Sequence, residues 1–333
     1  MAPIAALNGF LQEWNAEDEY LTVHTSGSTG APKPIRVEKK RMRASARLTC
    51  DFLGLKEGDN ALLCLPLDYI AGKMMVVRAL ERRLNLHCIK PGSHPMAESG
   101  LPPVIDLCAM VPMQVMRSLQ SAPERENLCR IRHLIIGGGS IHPLLEAELQ
   151  TLPCQAWSTY GMTETLSHIA LRKVNGPDAS LWYRPFEGIR ISLTDGECLA
   201  IHAPMLCPEV LHTHDRAEIR QTQDGHTEFR ILGRTDNVIS SGGIKIQTEE
   251  VESLLAPHLR QPFMITKCSD PELGEKVVLL TESTSIHDIE TTCRTVLPRH
   301  WQPRRIISVD TIPLTPNGKP ARAEAQKIAE GQG

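Results

Sequence analysis

Residues 134–165 read LIIGGGSIHPLLEAELQTLPCQAWSTYGMTET, and their grammar decides the fold class. Leu134 to Ile136 is a short apolar run that suits a buried strand, and it ends in Gly137-Gly138-Gly139. Ile141 to Leu149 is helical in pattern. Trp157 to Thr165 is polar and contains glycine, as a turn at a strand end does. Strand, loop and helix in alternation indicate an α/β layered fold.

The alternation continues upstream. Glu19 to Thr25 reads as a strand entering a Gly/Ser/Thr loop. Asn60 to Pro66, Leu86 to Lys90 and Val104 to Val111 read as strands, and Gly72 to Arg83 as a helix. Pro112 suits the first turn of a helix running to about Leu119. From Gly188 the pattern changes to short strands, Ile189 to Leu193, Cys198 to His202 and Glu228 to Leu232. Thr194-Asp195-Gly196 and Gln223-Asp224-Gly225 carry hairpin turns. After Gly233 a smaller α+β unit follows. Thr248 would cap a helix over Glu249 to Leu255, and Lys276 to Thr281 is a strand. Ser285 with Asp288 would cap a helix over Ile286 to Leu297. The tail Glu324 to Gly333 reads as frayed.

A length of 333 residues suits two domains. With 36 Lys+Arg against 39 Asp+Glu the net charge is −3, which argues against a nucleic-acid partner needing a basic face. The hydrophobic set is 41%, as in an ordinary globular chain, and with aromatics at 4% the core must rest on aliphatic residues and Met. The ten cysteines form no C-x-x-C pair and no Cys/His set of zinc-finger spacing, so scattered reduced thiols in a cytoplasmic protein are expected. Met1 to Phe10 lacks the character of a signal peptide. No apolar run reaches the roughly 18 residues of a bilayer span, so no membrane insertion is expected.

Four segments carry chemistry. Thr25-Ser26-Gly27-Ser28-Thr29-Gly30-Ala31-Pro32-Lys33 interleaves hydroxyls with glycines, so backbone N–H groups, hydroxyls and Lys33 can wrap a polyphosphate. It lacks the Walker A spacing, and alone it could be a surface turn. In Ser158-Thr159-Tyr160-Gly161-Met162-Thr163-Glu164-Thr165, Tyr160 offers a flat face for a purine and Thr163 a hydroxyl for a phosphate. Glu164 offers a hard oxygen for Mg²⁺. Gly233-Arg234-Thr235-Asp236 looks like a domain boundary, ahead of Ser241-Gly242-Gly243-Ile244-Lys245. Pro313-Leu314-Thr315-Pro316-Asn317-Gly318-Lys319-Pro320-Ala321-Arg322 places a lysine on a Pro/Gly loop.

Taken in this order, the four segments resemble the adenylate-forming enzymes, over residues from about 20 to 325. The resemblance implies their fold: a large domain at 1–232, its N-terminal subdomain mostly absent, and a small mobile domain at 233–333 with a hinge near Asp236. It also implies a two-step reaction using ATP, Mg²⁺ and CoA. A carboxylate attacks the α-phosphate to give acyl-AMP and pyrophosphate; a thiol then displaces AMP. Residues Thr25, Ser26, Gly27, Ser28, Thr29, Gly30 and Lys33 would grip the β- and γ-phosphates. Tyr160 and Gly161 would meet adenine, Thr163 the α-phosphate and Glu164 the metal. Gly137, Gly138 and Gly139 would line the adenine and acyl pocket. Asp215 and Arg234 would bind the ribose, and Lys319 would be the adenylation lysine. Gly242, Gly243 and Lys245 would flank the thiol arm of CoA, with Arg299 and Arg304 as further basic candidates.

Within this family the chain looks like the compact o-succinylbenzoate–CoA ligases of menaquinone synthesis. Leu65-Pro66-Leu67-Asp68-Tyr69 resembles a P-L-x-H segment, with Tyr69 where His is usual. Such an acid keeps a second, unactivated carboxylate, and its pocket needs a cation or strong donor. Lys73, Arg78, His168 and Arg172 are candidates, although solvation is the plainer role for both arginines. Thr213-His214-Asp215 departs from the family's T-G-D, so a positive φ at His214 would be strained. The pair His212 and His214 beside Asp215 also suggests a metal site, which the ribose role displaces. Two alternatives stand beside this reading: another aryl or short acyl acid loaded on CoA or a carrier protein, and a non-catalytic nucleotide-binding module. A homo-oligomer could cover the flank left by the short N-terminus.

Overall fold

The computed structural model describes residues 2–24, 34–315 and 320–331. Among these residues the strands form four sheets. The largest runs in the order Asn85–Cys88, Asn60–Leu63, Ile105–Met110, Ile131–Ile136, Gln155–Gly161, His168–Lys173 and Arg184–Pro185. The first five strands are parallel and the last two antiparallel. A parallel sheet must be covered on both faces, and alternation along each strand supplies both cores. Leu63, Ala109 and Ile135 join one core with helices Lys39–Leu53 and Ile70–Arg82. Leu62, Cys64, Cys108, Leu134 and Ile136 join the other with helices Pro112–Leu119 and Pro143–Leu149.

The strand, glycine turn and helix read at 134–149 are all present, and Pro112 opens its helix as expected. A second, antiparallel sheet holds Arg190–Leu193, Cys198–His202, Leu211–Gln221 and Thr227–Arg234. A third holds Val238–Ser241, Ile244–Gln247, Phe263–Asp270, Gly274–Thr281 and Arg305–Ser308. Helices Thr248–Leu255 and Ile286–Val296 cover one of its faces and Arg322–Glu330 the other. Tyr20–His24 and Pro34–Glu38 pair as an antiparallel ribbon.

Several expectations need correction. Thr248 is the first helical residue and not the cap: Gln247 precedes the helix, and Thr248 Oγ1 lies 3.0 Å from Glu249 Oε2. Ser285 stands at its helix start without a side-chain cap bond. Up to Gly331 the tail is not frayed. Its helix buries Ala325 and Ala329, and the Arg322 guanidinium makes two 2.7 Å bonds to the Glu252 carboxylate and one of 2.7 Å to Ile265 O. Glu330 accepts from Ser269 N at 2.9 Å. Leu314 bridges to Pro320, and Ala321 N donates to Pro313 O at 3.0 Å. Among the described residues no helix is long and apolar enough to cross a membrane.

Candidate active site

The parallel strands end together where Pro66, Val111, Gly137–Gly139 and Gly161–Glu164 lie. Glycine is required at two of these ends. A Cβ on Gly137 would sit 2.5 Å from Thr159 Oγ1, so the turn packs directly on the neighbouring strand. A Cβ on Gly161 would sit 2.4 Å from Ser167 O and 2.5 Å from His168 Cα. After Gly161 the chain forms a short 3₁₀ turn, Thr163–Thr165. Thr165 Oγ1 ties that turn by accepting from Met162 N at 3.0 Å and donating to Ser167 O at 2.7 Å. Leu166 then reverses the chain at φ +66°, a strained conformation that its complete burial holds in place.

Tyr160 is fixed from behind. Its hydroxyl donates to Asp215 Oδ2 at 2.6 Å, and Phe229 meets its ring edge-on at 5.1 Å. Burial and the Asp215 carboxylate push the phenol above its ordinary range, so it stays a donor. Asp215 faces Arg234 across paired strands, next to a bulge at Arg216/Ala217. The guanidinium spans two carboxylates, Asp215 Oδ1 at 3.2 Å and Asp236 Oδ2 at 2.7 Å. Tyr160, Asp215, Arg234 and Asp236 thus form one linked chain. His214 keeps a negative φ, so the feared strain is absent, and its Nδ1 lies 3.3 Å from Asp236 Oδ1.

Glu164 is exposed and carries no ion pair among the described residues. Among those residues no group of three or more His, Cys, Asp or Glu is placed to hold a metal ion, His212, His214 and Asp215 included. A lone exposed carboxylate suits Mg²⁺, which keeps its waters and takes further oxygens from phosphates. A cavity of about 270 Å³ opens beside Gly138 and Gly139, walled by Val111, Pro112, Leu314 and Pro320. The residues on either side of the Lys319 segment therefore reach the glycine turn. His142 and Phe263 meet edge-on at 6.4 Å in a further contact between the large sheet's helices and the third sheet.

The acid-binding candidates separate. Tyr69 sits half-buried just before helix Ile70–Arg82. Lys73 is drawn away, donating to Thr22 O at 3.2 Å with Glu13 at 3.8 Å. Arg172 is not solvated: it is buried, pairs with Glu146 and donates to Ser180 O at 3.1 Å. Arg78 is not solvated either. It is 2% exposed and has no carboxylate partner among the described residues. Its Nη2 donates to Ser167 Oγ at 2.6 Å and its Nη1 lies 3.8 Å from Met75 Sδ, while Nε has no partner. Burial pulls this guanidinium down to about 10. His168 is 7% exposed, with Thr49 on one ring nitrogen and Ser167 on the other. Burial and Arg78 hold it well below the ordinary histidine range.

Gly242 (φ +56°) and Gly243 (φ +82°) form a turn elsewhere. Gly242 shares a second cavity of about 150 Å³ with His300 and Arg304, and Lys245 is exposed nearby. No residue lines both cavities. The Thr25–Lys33 loop and Lys319 lie outside the described residues. Sequence reasoning missed Ser167, Thr49 and Phe229. Only Ser167 carried a signal, as a hydroxyl next to His168 in a stretch already singled out.

The profile of the AMP-binding enzyme family matches residues 7–201, more than half of the chain. The 2-succinylbenzoate–CoA ligase of Lactococcus lactis is 24% identical over 325 residues, 92% of this chain and 71% of that protein. The crystal structure of an acyl-CoA synthetase (AMP-forming)/AMP-acid ligase II-like protein from Dyadobacter fermentans is 31% identical. It superposes with a TM-score of 0.66, over 97% of this chain and 94% of that one. The o-succinylbenzoate coenzyme A synthetase of Bacillus subtilis, in complex with ATP and magnesium ion, shares the fold at 20% identity. Its TM-score is 0.73, over 91% of this chain and 69% of that one.

Proposed function

This chain belongs to the AMP-binding enzyme family, and from that premise we propose that it is an ATP- and Mg²⁺-dependent acid–thiol ligase acting on o-succinylbenzoate. The observation that carries the choice of acid is Arg78. A fully buried guanidinium without a carboxylate is costly, and it leaves a free Nε donor. An acid that brings its own second carboxylate completes that pair, whereas a fatty acid or benzoate does not. The relative named 2-succinylbenzoate–CoA ligase supports the same acid.

In this reading the acid's reacting carboxylate attacks the α-phosphate of ATP, forming an acyl–phosphate bond and releasing pyrophosphate. The thiol of CoA then attacks the acyl carbonyl, and AMP leaves. Such displacements depend on positioning and charge stabilisation more than on covalent help from the protein. Asp215 and Arg234 hold the ribose and Tyr160 the adenine. Thr163 meets the α-phosphate, and Thr25 to Lys33 the phosphates beyond it. Glu164 would hold Mg²⁺, which supplies charge neutralisation for the leaving pyrophosphate. Lys319 stabilises the attacked phosphate and then withdraws as residues 233–333 turn about Asp236. CoA would enter past Gly242 and Gly243.

The test is pyrophosphate release with ATP, Mg²⁺ and CoA, comparing o-succinylbenzoate, benzoate and a medium-chain fatty acid. Strong release with o-succinylbenzoate, detection of its CoA thioester, and turnover of benzoate only at far higher concentration are the expected result. Equal release with benzoate overturns the acid, and no release with any acid overturns the ligase.

A further inference from the structure

Arg78 does not stand alone in its pocket. Its Nη2 lies 2.6 Å from Ser167 Oγ, Ser167 Oγ lies 3.2 Å from His168 Nδ1, His168 Nε2 lies 3.0 Å from Thr49 Oγ1, and Thr49 Oγ1 lies 3.2 Å from Ser45 O. The line crosses from helix Ile70–Arg82 through the start of strand His168–Lys173 to helix Lys39–Leu53. One direction gives every proton in the line an acceptor. A guanidinium only donates, so the Ser167 hydroxyl accepts from Arg78. Its proton must then go elsewhere, and the partner in reach among the described residues is His168 Nδ1. That nitrogen is therefore bare and the ring proton sits on Nε2, which donates to Thr49; Thr49 donates on to the Ser45 carbonyl.

We propose that His168, as its Nε2–H tautomer, is a positioning residue for the acid: it turns the Ser167 lone pair toward Arg78 and so aims the guanidinium's free Nε edge at the second carboxylate. This rests on the assignment of Arg78 to that carboxylate. His168 itself does not touch the acid. It is packed against Phe186, ring to ring at 5.5 Å, behind the residue that does. The opposite tautomer would fill both Ser167 lone pairs with donors and leave the Ser167 proton without an acceptor among the described residues. Each end of the ring must match its neighbour, so replacement by an apolar side chain of similar volume preserves packing and loses direction.

The experiment compares His168→Leu, His168→Gln and Arg78→Gln in the pyrophosphate assay, with o-succinylbenzoate and with benzoate at high concentration as the acid lacking the second carboxylate. His168→Leu is expected to raise KM for o-succinylbenzoate about tenfold, the scale of one charge-assisted hydrogen bond. KM for ATP and turnover of benzoate should stay within twofold. His168→Gln, which presents an acceptor and a donor on one planar group, should restore most of the loss. Nitrogen-15 NMR of the intact enzyme should show His168 protonated at Nε2 only. A proton on Nδ1, or an equal loss of both acids in His168→Leu, overturns the relay. Arg78→Gln separates the two levels of the argument. If it impairs both acids alike, the assignment of Arg78 fails and the proposal with it; if it impairs o-succinylbenzoate alone while His168→Leu is silent, only the relay fails.

Discussion

Replacing Gly161 by alanine should disable the proposed nucleotide site through one methyl group. The added Cβ would lie 2.4 Å from Ser167 O, 2.5 Å from His168 Cα and 2.9 Å from His168 N, where ordinary contact begins at 3.4 Å. All three obstacles are backbone, so no side chain can swing aside. Gly161 and His168 are partners across two strands, and relief requires about 1 Å of separation between those strands. That movement displaces Tyr160 on one side of the glycine and Thr163 and Glu164 on the other. A misplacement of about 1 Å costs roughly 100-fold in rate, or about 2.7 kcal/mol of transition-state stabilisation. Overpacking itself destabilises by about 1–3 kcal/mol, which lowers Tm by several degrees in a chain of this size. Pyrophosphate release under saturating ATP and Mg²⁺ measures the first effect, a thermal melt the second, and calorimetric AMP binding locates the loss at the nucleotide. A Gly161→Ala enzyme within twofold of the parent, melting at the same temperature, would refute the argument that this contact sets the turn.

Two other perturbations test different parts of the molecule. His133 is 4% exposed with both ring nitrogens unpartnered among the described residues, and burial holds it down to about 4 against 6.5 when free. The unfolded chain therefore takes up a proton first: stability is full above about pH 6.5 and falls toward pH 4, by on the order of 3 kcal/mol. His133→Leu should match the parent in urea denaturation at pH 7.5 and be more stable at pH 5; parallel losses on acidification would exclude His133 as the cause. Lys319→Ala should abolish acyl-AMP formation while thioester formation from supplied acyl-AMP persists, and equal loss of both half-reactions would remove the lysine from the adenylation step.

The elements that could be read from sequence were those in which one residue type serves both pattern and packing. Pro112 at a helix start, the apolar run into Gly137 and the Asp-Gly hairpins state their geometry locally. Strand Leu211–Gln221 escaped because it lies on a half-exposed sheet and reads LHTHDRAEIRQ, polar on both faces. Helix Arg322–Glu330 escaped because it docks through Ala325 and Ala329, too small to signal burial. Arg78 looked solvated because charge is the stronger local cue, yet it stands four residues from buried Met74 and shares its helix face. The family resemblance gave Tyr160 to adenine and Asp215 to ribose, but no local pattern announced the hydrogen bond between them. Thr49 and His168 are 119 positions apart, and nothing in either neighbourhood announces the other.

The anchored tail has a consequence for the lysine loop. Arg322 is clamped to Glu252 and Ile265, and Leu314 is bridged to Pro320, so the segment carrying Lys319 is closed at its base. A side chain on a closed segment travels with the body beneath it. If residues 233–333 turn about Asp236 as proposed, Leu314 and Pro320 turn with the sheet beneath them, in place of a search by a free end. A tag fused after Gly333 would hang from a docked helix and leave that geometry alone. Trimming the chain back past Arg322 would release that clamp.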